Sequence, residues 1–291
     1  MKPPAKLAAF MALLAVVFGV SYFTGTQSQA LLAPAPMHNS EMATPPGTVE
    51  GYAMHAVEPT QEPGKDVLVE FAVTAPGGHA LSELDEDAGD HMHLIAFRRD
   101  LTGYQHFTAQ QGEGTSWWGL LNLTPGPWRV IVHFQSKALN REIALATDLT
   151  VSGEYHPEPL PPPVDQDQAK GLTVDQDLAK GLTVDQDLAK GLTVTLSGDL
   201  STSADSSSAV TVTTEGQPVT DLQPAHGTLG HAVVIRPSDL GYLHMHSTGQ
   251  GSGPRLDFQG AVPDKGDYRL FVDFYREDQP HLAEFTVQVT R

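Results

Sequence analysis

From Val49 to Val151 apolar residues fall in short runs separated by Gly, Pro and Asp, and no stretch there keeps a helical period of 3.6 for three turns. In the first half the runs are Val67-Leu-Val-Glu-Phe-Ala-Val73, Leu94-Ile-Ala-Phe97, Trp128-Arg-Val-Ile-Val-His-Phe134 and Leu149-Thr-Val151. In the second half they are Leu192-Thr-Val-Thr-Leu196, Ala209-Val-Thr-Val-Thr213, His231-Ala-Val-Val-Ile235, Tyr268-Arg-Leu-Phe-Val-Asp-Phe274 and Ala283-Glu-Phe-Thr-Val-Gln-Val289. β-Branched and aromatic residues dominate them, as strands require. Alternation of Phe285, Val287 and Val289 with Glu284, Thr286 and Gln288 has the period of two of a strand with one wet face. The pattern predicts an all-β chain of two tandem immunoglobulin-like β-sandwich domains following an N-terminal hydrophobic helix.

The stretches between the runs divide the chain further. Lys2 and Lys6 precede an uncharged apolar segment, Leu7 to Phe23, which reads as a signal or transmembrane anchor over 1–24. Its length suits both a single-pass anchor and a signal cleaved after Ser28-Gln29-Ala30, so membrane retention and secretion are both open. In either case the body is extracytoplasmic, and contact with the membrane is through the N-terminal helix only. A flexible tether is expected over 25–47, the first sandwich over 48–153, a Pro-rich linker over 154–190 and the second sandwich over 191–291. The linker carries a ten-residue unit three times, Val164–Thr173, Val174–Thr183 and Val184–Thr193, too short a period for a solenoid and expected to be a spacer.

The halves repeat one another. His93, Arg98, Gly103, Tyr104 and His106 recur without a gap as His231, Arg236, Gly241, Tyr242 and His244. After a two-residue length change, Gly126-Pro-Trp-Arg-Val-Ile-Val-His133-Phe134 aligns with Gly266-Asp-Tyr-Arg-Leu-Phe-Val-Asp273-Phe274. These segments, with Arg98-Arg-Asp-Leu-Thr-Gly-Tyr-Gln-His106, Val219-Thr-Asp-Leu-Gln-Pro224, Gly230-His231 and Tyr242-Leu-His-Met-His246, resemble a group of actinobacterial membrane-anchored or secreted proteins that pair two such β domains. The resemblance spans nearly the whole chain and implies the two-domain plan and the envelope location; it brings no activity with it. Such relatives continue the first motif with a further His and Pro, where this chain has Phe107-Thr108-Ala109.

Composition narrows the function. Thirty-five acidic residues against seventeen basic ones give a formal charge of -18, which repels phosphate backbones and argues against nucleic acid as a partner. No cysteine is present, so disulfides and thiolate metal sites are excluded. No phosphate loop, nucleophile elbow or catalytic triad spacing occurs, and no enzyme activity is expected.

Thirteen histidines in such a chain point to metal chemistry. If His231–Arg236 and Tyr242–His246 form a hairpin, paired numbers sum to 477, His231 opposes His246, Val233 opposes His244, and the three imidazoles share a face. Three nearby imidazoles suit copper or zinc. The same register groups His91, His93 and His106 in the first half, with Thr108 in place of His246, so the second half has the fuller set. His226, His281 and Asp273 are further candidate ligands there, and Met37-His38-Asn-Ser-Glu-Met42 is a short Met/His cluster in the tether. The plain alternative for each histidine is a half-buried side chain bonded to backbone. Trp117-Trp118 and Trp128 admit a carbohydrate platform or core packing, and Glu83 to Asp90 is a carboxylate-rich loop. The expected function is a cell-envelope binding protein for copper or another divalent metal; the alternative is a metal-free interaction or adhesion module for an envelope protein or carbohydrate.

Overall fold

Alternation along the long strands decides how the sheets stack. In His93–Arg98, Leu94 and Ala96 join one apolar cluster while Ile95 and Phe97 join another on the opposite face. Gly230–Arg236 behaves alike, with Ala232 and Val234 on one side and Val233 and Ile235 on the other. Both strands are therefore buried on both faces, which explains their unbroken apolar runs.

A computed structural model describes residues 42–81, 92–163, 166–168, 170–173, 183–185, 191–225, 227–249 and 251–290. All regular elements among them are strands. Among the described residues no helix is long and apolar enough to cross a membrane, and the hydrophobic segment expected over 1–24 lies outside them.

Four sheets form two sandwiches. The outer sheet of the first half runs Thr48–Val49, Tyr52–Ala56, Gly64–Ala75, Ser116–Leu123, Gln110–Gln111, with His79–Ala80 also on Gly64–Ala75. Its inner sheet runs Thr60–Gln61, Arg141–Val151, Gly126–Ser136, His93–Arg98, Gln105–Thr108. Between them lies a core of Phe71, Val73, Trp117, Leu121, Trp128, Val130, Val132 and Leu145. The second half has an outer sheet around Leu192–Asp199, Ser207–Thr214 and Arg255–Gln259. Its inner sheet has Gln279–Val289, Gly266–Arg276, Gly230–Arg236 and Gly241–His246 in that order. Val212, Leu256, Val234, Leu270, Val272 and Phe285 fill the space between these two.

The inner sheets then pack on each other. Ile95, Phe97, Leu101, Tyr104, Ile131 and Ala146 of the first half meet Val233, Ile235, Leu240, Tyr242, Phe271 and Leu282 of the second in one buried cluster. Tyr104 stacks on Phe271 with ring centroids 4.1 Å apart and planes 5° apart. Burying a Val, Leu, Ile or Phe side chain contributes about 1.5–3 kcal/mol, so this cluster holds the two inner sheets together.

Two segments expected to be unstructured take part. Residues 42–47 of the tether bond to both halves: Ala43 accepts from Tyr242 N at 3.0 Å, Thr44 donates to Asp239 O at 2.9 Å, and Pro46 O accepts from Ala146 N at 2.9 Å. Within the decapeptide repeats, Gln166–Gln168 pairs with Leu192–Asp199, while Lys170–Thr173 pairs with Gln279–Val289 and with Thr183–Asp185. The linker over 154–190 thus lends strands to both sheets of the second half in place of a plain spacer. Trp117 and Trp128 are buried in the first core, and Trp128 Nε1 donates to Thr124 O at 2.8 Å, so neither is a sugar platform.

Candidate metal centre

The histidine positions follow from two hairpins whose registers are set by their turns. In the second half His231 opposes His246 and Val233 opposes His244, the pairing that sums to 477. In the first, His93 opposes Thr108 and Ile95 opposes His106. Each turn is locked by an ion pair inside the recurring motif. Arg98 reaches Asp100 at 2.7 Å, and Arg236 reaches Asp239 at 2.8 Å. Leu101 and Leu240 occupy the left-handed region, φ 65° and 59°. Burial opposes ionisation of Asp100, yet bonds from Thr102 and Glu158 and the charge of Arg98 bring its pKa below the ordinary value. The Arg236 bond holds Asp239 down at about 2. A slip by one residue would turn every histidine of a hairpin into a sandwich core.

With these registers, His93 and His106 face the same interface as His231, His244 and His246. The two sets are not two sites, one per half; they interleave in one. Ring centroids of His93, His106, His231 and His244 are 5.0 to 5.4 Å apart in all six pairings, the corners of a nearly regular tetrahedron. Its centre lies about 3.2 Å from each ring centre, the reach of an ion bound at about 2.0–2.1 Å from a ring nitrogen. Ligand atoms come within 4.8 Å of one another in three overlapping triads: His93, His231 and His246; His93, His106 and His244; His106, His231 and Asp273. His246 forms the rim, with its ring 5.0 Å from His231 and 4.8 Å from His244.

Two residues not in the expected histidine sets complete the centre. Asp273 Oδ2 accepts from His106 Nδ1 at 2.8 Å, and Oδ1 lies 3.4 Å from His231 Nδ1. Since an ionised carboxylate only accepts, both rings turn an Nδ1 proton toward Asp273 and Nε2 away from it. His106 Nε2 then accepts from His93 Nδ1 at 2.8 Å. His133 was legible only as the residue aligned with Asp273. Its Nδ1 lies 2.7 Å from His244 Nδ1 and its Nε2 lies 3.4 Å from Glu142. With the His133 proton on the Glu142 side, His244 donates from Nδ1, and its buried Nε2 has no hydrogen-bond partner among the described residues.

Electrostatics keep the rings ready for a cation. Burial first, then the neighbouring imidazoles, push His244 well below its usual pKa and His246 down to about 3. Burial also lowers His231 against the pull of Asp273. For Asp273 burial opposes the charge, but His106 and His231 prevail and hold it below the ordinary carboxylate value. Neutral His231, His244 and His246 beside an ionised Asp273 are in the protonation states that metal coordination needs.

The remaining candidates divide. His281 points into the second sandwich, its ring 5.4 Å from Phe274 on the face opposite Asp273, so it is not part of the centre. The parity of its strand decides this, because Asp273 pairs with Leu282 and Phe274 with His281. His91 and His226 lie outside the described residues, as do Met37, His38 and the carboxylate loop over 83–90.

Comparison with known proteins adds little chemistry. Residues 185–291 match a family model described as a domain of unknown function (DUF8832). No curated protein matches. Among solved structures, trypsin-activated alpha-2-macroglobulin from Escherichia coli aligns over 87% of this chain and 24% of its own at 9% identity and a TM-score of 0.26. This chain thus spans about a quarter of that protein. Fibronectin(III)-like modules of Clostridium thermocellum CbhA align over 81% and 92% at 10% identity and a TM-score of 0.19. For the chicken interferon gamma receptor alpha chain the figures are 86%, 100%, 11% and 0.21.

Proposed function

We propose that this protein is an extracytoplasmic, cell-envelope binding protein that holds one zinc or copper ion between its two immunoglobulin-like halves. His93, His106, His231 and His244 are the ligands, His246 stands at the rim, and Asp273 orients two of the rings. The observation that carries this reading is the tetrahedron of four buried imidazoles, two from each half, with centroids 5.0 to 5.4 Å apart. Tetrahedral nitrogen sites suit Zn(II), and imidazole also binds copper. The Lys2 and Lys6 charges ahead of the apolar segment Leu7 to Phe23 support the extracytoplasmic part of this reading, in which the role is binding rather than catalysis.

The ring-to-ring hydrogen bond of His93 to His106, which occupies His106 Nε2, favours a second reading in which the cluster holds no ion and the protein is an interaction or adhesion module for an envelope protein or carbohydrate. Calorimetric titration of the full chain with Zn(II) and Cu(II) separates the two. About one ion per chain is expected, with affinity falling about 100-fold or more in His244→Ala. Absence of binding, or binding unchanged in that variant, selects the metal-free module.

A further inference from the structure

The repeat relates the contacts of the centre as well as its residues. Exchanging the halves turns His106 into His244 and Asp273 into His133, so the bond of His106 to Asp273 at 2.8 Å and that of His244 to His133 at 2.7 Å are one contact made twice. Each crosses from one half to the other. One copy ends on a carboxylate and the other on an imidazole, which has no negative charge of its own to lend.

The missing charge stands one step further out. In the first half His133 pairs with Ala144 and Gln135 with Glu142; in the second Asp273 pairs with Leu282 and Tyr275 with Pro280. Glu142 therefore occupies the place of Pro280, and its carboxylate lies 3.4 Å from His133 Nε2. Each half has one carboxylate behind its cross-interface bond, either in contact with the ligand or relayed through a ring.

We infer that His133 and Glu142 form a relay that positions His244 as Asp273 positions His106, fixing its proton on Nδ1 and aiming Nε2 into the centre. The inference rests on the metal-binding reading above. A carboxylate behind a ligating imidazole orients it and raises its basicity, and loss of such a partner lowers metal affinity about 10–100-fold. His133 and Glu142 are positioning residues, not ligands.

The test is Zn(II) and Cu(II) titration of four full-length chains: parent, Glu142→Gln, His133→Phe and His133→Asp. Expected are a roughly 10-fold loss in Glu142→Gln and a loss of up to about 100-fold in His133→Phe. His133→Asp copies the arrangement of the other half and is expected to return affinity to within about 3-fold of the parent, with pulsed electron paramagnetic resonance of the Cu(II) form counting the same imidazoles. A packing role predicts the reverse, since His133→Asp would bury a charge. Parent-like affinity in both Glu142→Gln and His133→Phe, or His133→Asp no better than His133→Phe, overturns the relay and leaves the metal site standing. A parent that binds neither ion overturns the metal reading itself.

Discussion

At the scale of single residues, pH reports on the centre. His246 has a folded pKa of about 3 against an ordinary 6.5, so between these values the unfolded chain binds the proton more readily. Its contribution to stability is complete above pH 6.5 and is lost as pH falls toward 3; His231 and His244, lowered by burial, act in the same direction. Thermal melts of the metal-free protein are therefore expected to fall in midpoint between pH 6.5 and 4, and less steeply in His246→Gln. Equal slopes would show that the rim histidine titrates as it does in the unfolded chain. Four of the residues at the centre were visible in the sequence as one recurring pair, His93 with His106 and His231 with His244, because their spacing about a turn fixes a shared face. His133 was not, since a histidine within Val-Ile-Val-His-Phe is indistinguishable from a packed side chain until its strand is known to be covered on both faces.

At the scale of elements, the two hairpins are alike in register and unequal in tolerance. Gly103 has φ +67°, and a Cβ there would stand 2.8 Å from the Trp128 ring, whereas Gly241 would meet only side-chain atoms at 3.2 to 3.3 Å. Gly103→Ala is expected to cost about 2–4 kcal/mol and Gly241→Ala under about 1 kcal/mol, as read by urea denaturation. Because the first turn carries His106 into the centre, metal affinity should drop in Gly103→Ala as well. The strands themselves were legible: each apolar run named in the two halves lies within a strand. What the pattern did not convey was the second burial of the inner sheets. Runs such as Leu94-Ile-Ala-Phe97 and Ala232-Val-Val-Ile235 carried that signal in their lack of alternation, but a covering partner is a tertiary fact that one strand cannot specify.

At the scale of the whole molecule, the halves behave as one body because their inner sheets share both an apolar contact and the proposed ion. Cleavage at a protease site inserted between residues 174 and 182 should leave the halves associated in gel filtration, and their separation would contradict the continuous cluster between the inner sheets. An ion at 100 times its dissociation constant adds about 2.7 kcal/mol. That is expected to raise the melting midpoint of the full chain by about 5–10 °C, reversibly with a chelator, in a single calorimetric transition. The segment over 42–47 gives this unity a mechanical side. Met42 is seated in the second core, Ala43 and Thr44 are bonded to the second half, and Pro46 and Gly47 are bonded to the first. Tension applied to the chain ahead of Met42 is therefore shared by both halves, entering at the seam where the histidines meet. A body tethered by its N-terminus would feel drag as a load across that seam before either sandwich lost a strand.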